Sequence, residues 1–328
     1  MKRWIALLSA AVPLVAIAGE DAELRKMAVE LFGRIEAPAT AKLSTPEVEL
    51  GRALFWDTRA SLDGKTACAS CHPAADWGGD RRRLSVDARG DLTSRNSPTI
   101  FNAMPLPGLR WLSDRKTGAD QAEGSITGSM GFKSKDDGVA KLTELKYHDA
   151  FKAAYPTDAN PLNAANYGKA IAAYQATLIT PAPFDRFLAG DDRAMTARQK
   201  AGLKAFIDKG CAACHDGPMV GGAQLRKFGR IKDYWTETGS ARPDVGRFAI
   251  TKDEKDKYVF RVAMLRNVAR TAPYFHDGSV DTLDRAVRVM AAVQLANPVD
   301  DNTVSLIAAF LEALTGEVPA NYAAPARR

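Results

Sequence analysis

The chain has 328 residues, 46% apolar and 26% charged, a composition that excludes a disordered or collagen-like polymer and leaves room for two domains. Its 45 Lys and Arg against 39 Asp and Glu give a net charge of +6, too small an excess to imply a nucleic-acid partner. All four cysteines fall in two pentads of one pattern, so none is left for a disulfide.

In chain order, Lys2 and Arg3 precede an apolar run from Trp4 to Ala18 that closes with Ala16-Ile17-Ala18. This pattern reads as a secretory signal, residues 1–18, cleaved after Ala18. As an uncleaved anchor its roughly 15 residues would fall short of the ~20 that span a bilayer. Cleavage leaves 43 basic against 39 acidic residues, a net +4. The basic run Arg81-Arg82-Arg83 reads as a solvated loop.

Residues 21–34 read as a helix with Leu24, Met27, Ala28 and Leu31 on one face. Thr45-Pro46 is an N-cap and first-turn pair opening a second helix with Val48, Leu54 and Phe55. From His72 to about Asn96 the chain is rich in Gly, Asp and Arg and reads as a long loop, a common place for function. Gly124 to Gly131 reads as a second loop. Helical periodicity covers 139–155 and 164–178. Pro181-Ala182-Pro183 is the linker candidate, placing the domains at 19–180 and 181–328. Thr196 and Gln199 form a capping box, and Gly210 ends the helix it opens. Helices at 282–293 and 303–314 close the chain, the latter stopped by Gly316.

Each helix that follows a capping signal in the two halves runs into C-x-x-C-H: Cys68-Ala69-Ser70-Cys71-His72 and Cys211-Ala212-Ala213-Cys214-His215. This spacing is the attachment signal for c-type haem. Two thiols bond the vinyl groups of one porphyrin, and the adjacent imidazole ligates the iron. A thioredoxin-like pair or a four-Cys zinc site would not require His after the second Cys. Export agrees with haem attachment, which in bacteria occurs outside the inner membrane. The motifs lie 143 residues apart, and each is followed by an irregular loop and an Arg-Asn stretch, implying two fused units. Strand signals are weak. The expected fold is mostly α, two cytochrome c-like haem domains with long loops.

The chain resembles the bacterial di-haem cytochrome c peroxidase family, which includes the maturation enzyme of methylamine dehydrogenase. The resemblance spans nearly the whole mature chain. It rests on Leu50-Gly51-Arg52-Ala53-Leu54-Phe55-Trp56-Asp57, both haem motifs, Arg95-Asn96-Ser97-Pro98-Thr99, Pro183-Phe184-Asp185, Gly246-Arg247-Phe248 and Leu265-Arg266-Asn267 running on to His276-Asp277-Gly278. It implies that His215 and Met290 ligate a haem that receives electrons, with Met219 and Met264 as competing ligands. The maturation enzyme has Tyr at the axial position, so Met290 implies the peroxidase branch. At the haem held by His72, the resemblance implies peroxide reduction. Trp111 is implied as the electron relay between haems. Asn96, Thr271 and Pro273 are implied ligands of an inter-domain Ca²⁺. The implied partners are H₂O₂ and a small electron donor, a cytochrome c or a blue-copper protein; homodimers occur in the family.

The family's distal His and Glu positions fall, counted without gaps, on Ala88 and Gly131. Loss of a general base removes a contribution of ~10²–10⁴-fold. Asp87, Glu123 and Asp91 are candidate replacements, each also readable as a solvated loop carboxylate. Met130 or Met104 at the open iron position would instead make a pure electron carrier. The alternatives to peroxidase are therefore a di-haem electron-transfer protein and an oxidase of a partner protein or organic substrate.

Overall fold

The computed structural model describes residues 14–36, 45–296 and 299–326. The basic start of the signal segment lies outside these residues. The first helix, α1 (Leu14–Phe32), runs through position 18 without a break and ends at Gly33, whose φ is +65°. It therefore starts before the expected residue 21. Its inward face also differs: Ala28 and Phe32 are buried, whereas Leu31 is 36% exposed.

The first half continues with α2 (Pro46–Trp56), α3 (Cys68–Cys71), α4 (Gly118–Ser125), α5 (Lys135–Glu144), α6 (His148–Ala154) and α7 (Ala164–Ala176). The second half holds α8 (Pro183–Leu188), α9 (Ala197–Asp208), α10 (Tyr234–Thr238), α11 (Phe248–Thr251), α12 (Leu283–Gln294) and α13 (Asp301–Glu312). Its strands β1 (Leu225–Lys227) and β2 (Val259–Arg261) pair antiparallel, Arg226 opposite Phe260. The fold is mostly α, as expected.

Thr45 caps α2, its Oγ1 accepting from Val48 N at 3.2 Å. The Thr196–Gln199 capping box closes in both directions, at 2.9 and 3.2 Å. The helix expected over 139–155 is two helices, because Lys146 turns left-handed at φ +61° and α5 ends there. Part of the expected 124–131 loop is the last turn of α4. That helix presses on α7 where Gly168 has no side chain; a Cβ there would meet Ala119 O at 2.5 Å. The last helix starts earlier than expected, with Asp300 Oδ1 accepting from Thr303 N at 2.7 Å.

Two cores result. One gathers α2, α4 and α7 around Leu54, Phe55, Ile126 and Tyr174; the other gathers α1, α8, α9 and α13 around Phe32, Phe184, Phe206 and Phe310. The chain ends cross between them. Phe32, near the start, packs in the second core, while Tyr322, near the end, packs in the first against Phe55, Trp56 and Phe101. Thr180, immediately before the linker candidate 181–183, is buried. Thr180 Oγ1 accepts from Asn102 Nδ2 at 2.7 Å and from Asn267 Nδ2 at 3.0 Å. Nearby, Arg266 is buried and grips Asp185 through two bonds of 2.7 Å, the bidentate geometry that compensates a buried guanidinium.

Candidate functional site

A cavity of about 1370 Å³ lies between the cores, and both C-x-x-C-H motifs line it. Ordinary small-molecule pockets are ~300–1,000 Å³, so this one suits more than one large ligand. Met104, Trp111, Met264 and Met290 also line it, and apolar wall comes from Ile100, Phe206, Phe260 and Leu311.

The two motif histidines are held alike. His72 Nδ1 lies 2.7 Å from Gly78 O, six residues on; His215 Nδ1 lies 3.1 Å from Ala263 O, 48 residues on. Donation from Nδ1 to a carbonyl leaves Nε2 as the free, ligating nitrogen. Burial lowers the pKa of both rings, that of His215 to about 4, so each imidazole is neutral and ready to ligate. Gly221 makes the second bond possible: its φ is +102°, and a Cβ would sit 2.9 Å from His215 Nδ1. The cysteines are unpaired and half-buried. Burial pushes the Cys68 thiol up to about 12 and that of Cys211 to about 11.

Among the competing methionines, Met219 and Met130 are buried in side-chain cores and do not line the cavity, whereas Met264, Met290 and Met104 do. Met290 projects from α12 into a third cluster with Phe228, Phe260 and Tyr274, and Met264 adjoins the Ala263 carbonyl that holds His215.

Trp111 bonds to both halves. Its indole donates to Asn96 O at 2.8 Å, and its own carbonyl accepts from Arg261 N at 2.8 Å. Beside it, Arg95 makes two bonds to Asp244, at 2.6 and 2.9 Å, clamping the halves together. Asn96, Thr271 and Pro273 all line this part of the cavity. Asn96 Nδ2 donates to Arg82 O at 2.8 Å.

Ala88 and Gly131, where the resemblance would put the distal His and Glu, face each other. A Cβ on Gly131 would stand 3.1 Å from the Ala88 Cβ, and Gly131 holds φ +86°, a conformation that suits glycine and strains other residues. Neither residue lines the cavity. Asp87 does, but its carboxylate clamps its own loop: it binds Arg89 Nη2 at 2.5 Å and the amides of Arg89 and Asp91 at 2.8 and 3.1 Å. Glu123 points elsewhere, to Lys135 at 2.6 Å. The Asp91 side chain is 76% exposed at the cavity mouth.

Three cavity residues escape a reading of sequence. Gln121 Oε1, Arg115 Nε and Arg261 Nη1 are buried polar atoms with no hydrogen-bond partner among the described residues. Nothing in their spacing marks them; burial without a partner exists only in three dimensions. Arg261 is 7% exposed, its Nε donates to Arg110 O at 2.9 Å, and burial lowers its pKa to about 10. A buried guanidinium facing an apolar cavity demands an anion, and no carboxylate among the described residues pairs with it. The carboxylates of a porphyrin meet that demand, so the donor set fits haem.

Comparison with known proteins agrees. A family model described as di-haem cytochrome c peroxidase matches residues 45–193. The chain is 42% identical to cytochrome c551 peroxidase of Pseudomonas aeruginosa, over 95% of this chain and 91% of that protein. It is 30% identical to the methylamine utilization protein MauG of Methylophilus methylotrophus, over 77% and 75% of the two chains. A solved MauG-like protein associated with microbial copper homeostasis superposes with a TM-score of 0.74 at 26% identity, covering 89% of this chain and 97% of that one. By its sequence and its fold, this chain belongs to the di-haem cytochrome c peroxidase family of oxidoreductases, and two haems are the cofactors that membership brings.

Proposed function

We propose that the chain is an exported, periplasmic c-type cytochrome that reduces H₂O₂ to two waters, consuming two protons and two electrons from a small redox protein. The observation that carries this reading is the single cavity walled by both C-x-x-C-H motifs. In it, Cys68 and Cys71 attach one haem with His72 as ligand, and Cys211 and Cys214 attach the other with His215 and Met290. Bound there, haem supplies the redox chemistry, and the chain supplies position and electrostatics.

Electrons enter beside His215 and Met290 and cross the wall at Trp111, whose hydrogen bonds tie it to both halves. At the His72 end, Gln121 Oε1 is an acceptor without a donor and Arg115 Nε a donor without an acceptor. Peroxide offers both: an O–H for Gln121 and oxygen lone pairs for Arg115. These two side chains orient it in place of the family's distal pair, while Asp87 holds the loop by gripping Arg89. Neither Gln nor Arg exchanges a proton readily, so the two protons arrive through water at the mouth near Asp91. A hard cation at Asn96 Oδ1 would complete the junction, since the carbonyls of Thr271 and Pro273 accept no hydrogen bond among the described residues and oxygen donors suit Ca²⁺.

Ala88 and Gly131 favour a second reading, a di-haem electron carrier without peroxidase activity, with Met104 as ligand at the open position. Electron paramagnetic resonance of the holoprotein separates the two. The peroxidase reading expects one high-spin iron and steady H₂O₂ consumption with a reduced donor; two low-spin irons and no peroxide reaction would leave only the carrier.

A further inference from the structure

The residues lining the cavity differ in charge between the two halves of the chain. Near His72, exposed Asp91 and buried Asp87 accompany Arg89, and Arg95 is paired with Asp244. Near His215, the lining contributes Lys209, Arg226, Lys227 and Arg230 and no acid. Arg226, Lys227 and Arg230 are exposed, and none of the four makes a salt bridge among the described residues. Most acids in the same stretches are engaged: Asp216 accepts from Gln224 at 3.0 Å, Glu237 pairs with Lys232, Asp301 pairs with Arg288, and Asp300 caps α13 within electrostatic reach of Lys209; Asp233 is exposed and makes no salt bridge among the described residues. Lys227 lies 6.0 Å from the Tyr258 ring, a contact that leaves its charge uncompensated. The second-half lining also holds small and apolar residues: exposed Gly210, Ala213 and Ala296, with half-buried Leu295 and Val299.

Exposed cations that share a cavity lining with small apolar residues suit a transient docking face, where complementary charge sets encounter rate and a limited contact permits quick release. Resting on the reading above, in which electrons enter beside His215, we propose that the Arg226–Lys227–Arg230 rim is the electron-donor docking surface, and that its partner is a small redox protein whose cofactor edge is surrounded by carboxylates.

The test uses the holoprotein with both haems attached. Two purified small redox proteins serve as probes, one with an acidic and one with a basic face around its cofactor. Stopped-flow reduction by the acidic probe should fall steeply as salt rises, because cation–anion steering is screened within about 8 Å at 0.15 M. The triple variant Arg226→Glu, Lys227→Glu, Arg230→Glu should slow that reaction about tenfold or more at low salt, and should speed the basic probe. Reduction by an uncharged small-molecule reductant should be unchanged, and circular dichroism checks that the variant is folded. A rate with the acidic probe that ignores both salt and the variant would overturn the proposal. So would a shift in the midpoint potential of the second haem without loss of salt dependence, which would assign these cations to the porphyrin carboxylates. Peroxide turnover driven by the uncharged reductant reads the peroxidase reading separately: its absence would sink that reading and leave the docking result standing.

Discussion

The two lobes solve one problem with the same parts in different arrangements. Each has a capped helix that runs into a C-x-x-C-H motif, each motif histidine donates to a carbonyl, and each lobe packs that helix on another through a glycine. The difference is where the partners come from. The first lobe finds its carbonyl six residues away; the second reaches across 48. The first lobe therefore orients its ligand ring from within one local turn. The second depends on the long segment from β1 to β2, which also delivers Arg261, Ala263 and Met264. An electron-accepting centre that must be tuned gains from distant residues, because each is an independent lever on charge and burial.

The sharpest way to break this comparison is Arg261→Met. If its guanidinium neutralises a porphyrin carboxylate, its loss leaves a buried anion unpaired, at a cost of about 3–5 kcal/mol to holoprotein stability. The midpoint potential of the second haem should fall, since a positive charge near the iron disfavours the oxidised form. Arg261→Lys should restore most of the potential. Spectroelectrochemical titration reads both, and a potential unmoved by Arg261→Met would refute the pairing. The first lobe should not respond.

Next in size come the helix crossings. A Cβ on Gly51 in α2 would lie 1.8 Å from Ala170 O in α7, and one on Gly202 in α9 would lie 1.9 Å from Leu306 O in α13. Either alanine forces the helices apart, costing about 3 kcal/mol. Gly51→Ala should perturb the His72 haem and Gly202→Ala the His215 haem. Differential scanning calorimetry with optical spectra checks this. A loss confined to neither lobe would mean that the cores melt as one unit, which the crossing of Phe32 and Tyr322 makes the main rival expectation.

Much of this was legible in the sequence, for identifiable reasons. The haem motifs carry their chemistry in spacing alone, and the caps at Thr45 and Thr196 act within one turn. What was hidden depends on contacts between distant segments. The α4 turn at Gly124-Ser125 looks like loop by propensity, yet it is helical because Gly168 lets α7 come close. The break at Lys146 needs only one residue to turn left-handed, and its composition does not announce it. Pro181-Ala182-Pro183 reads as a boundary because it is rich in proline, and the sequence does not announce that Asn102 and Asn267 meet on the adjacent Thr180. Counting placed two family positions on Ala88 and Gly131 separately; that the two residues adjoin is seen only in the structure. Gln121, Arg115 and Arg261 had no signal at all, since a Gln or Arg becomes informative only when one of its polar atoms is buried without a partner, as Arg115 Nε is although its Nη1 pairs with Asp120 at 3.1 Å.

Gln121→Leu sharpens the contrast at the first lobe. It keeps the volume and removes the orphan acceptor. Losing one preorganised polar group costs up to about 10²-fold in turnover, here in kcat/KM for H₂O₂, with the rate of electron entry from the donor unchanged. Stopped-flow peroxide kinetics on pre-reduced protein make the measurement. An unaltered kcat/KM would remove Gln121 from the proposed mechanism and leave the orientation of peroxide to other groups. Gly131→Glu offers no simple rescue, since φ +86° strains any side chain placed there.

The smallest expected effect bears on the crossing of the termini. Tyr322 arrives from the end of the chain, and its hydroxyl donates to the carbonyl of His72, while its ring stays packed against Phe55, Trp56 and Phe101. Tyr322→Phe deletes the hydroxyl and keeps the packing, so it isolates one hydrogen bond. Removing it should cost about 1 kcal/mol, read as a lower denaturant midpoint at unchanged slope. The backbone of His72 then loses the anchor supplied from 250 residues away, and the spectrum of the first haem should broaden or shift while that of the second stays fixed. If both spectra move together, the tail stabilises the whole molecule rather than the first ligand. The two lobes would then be one cooperative unit in which the local carbonyl at Gly78 confers no independence on His72.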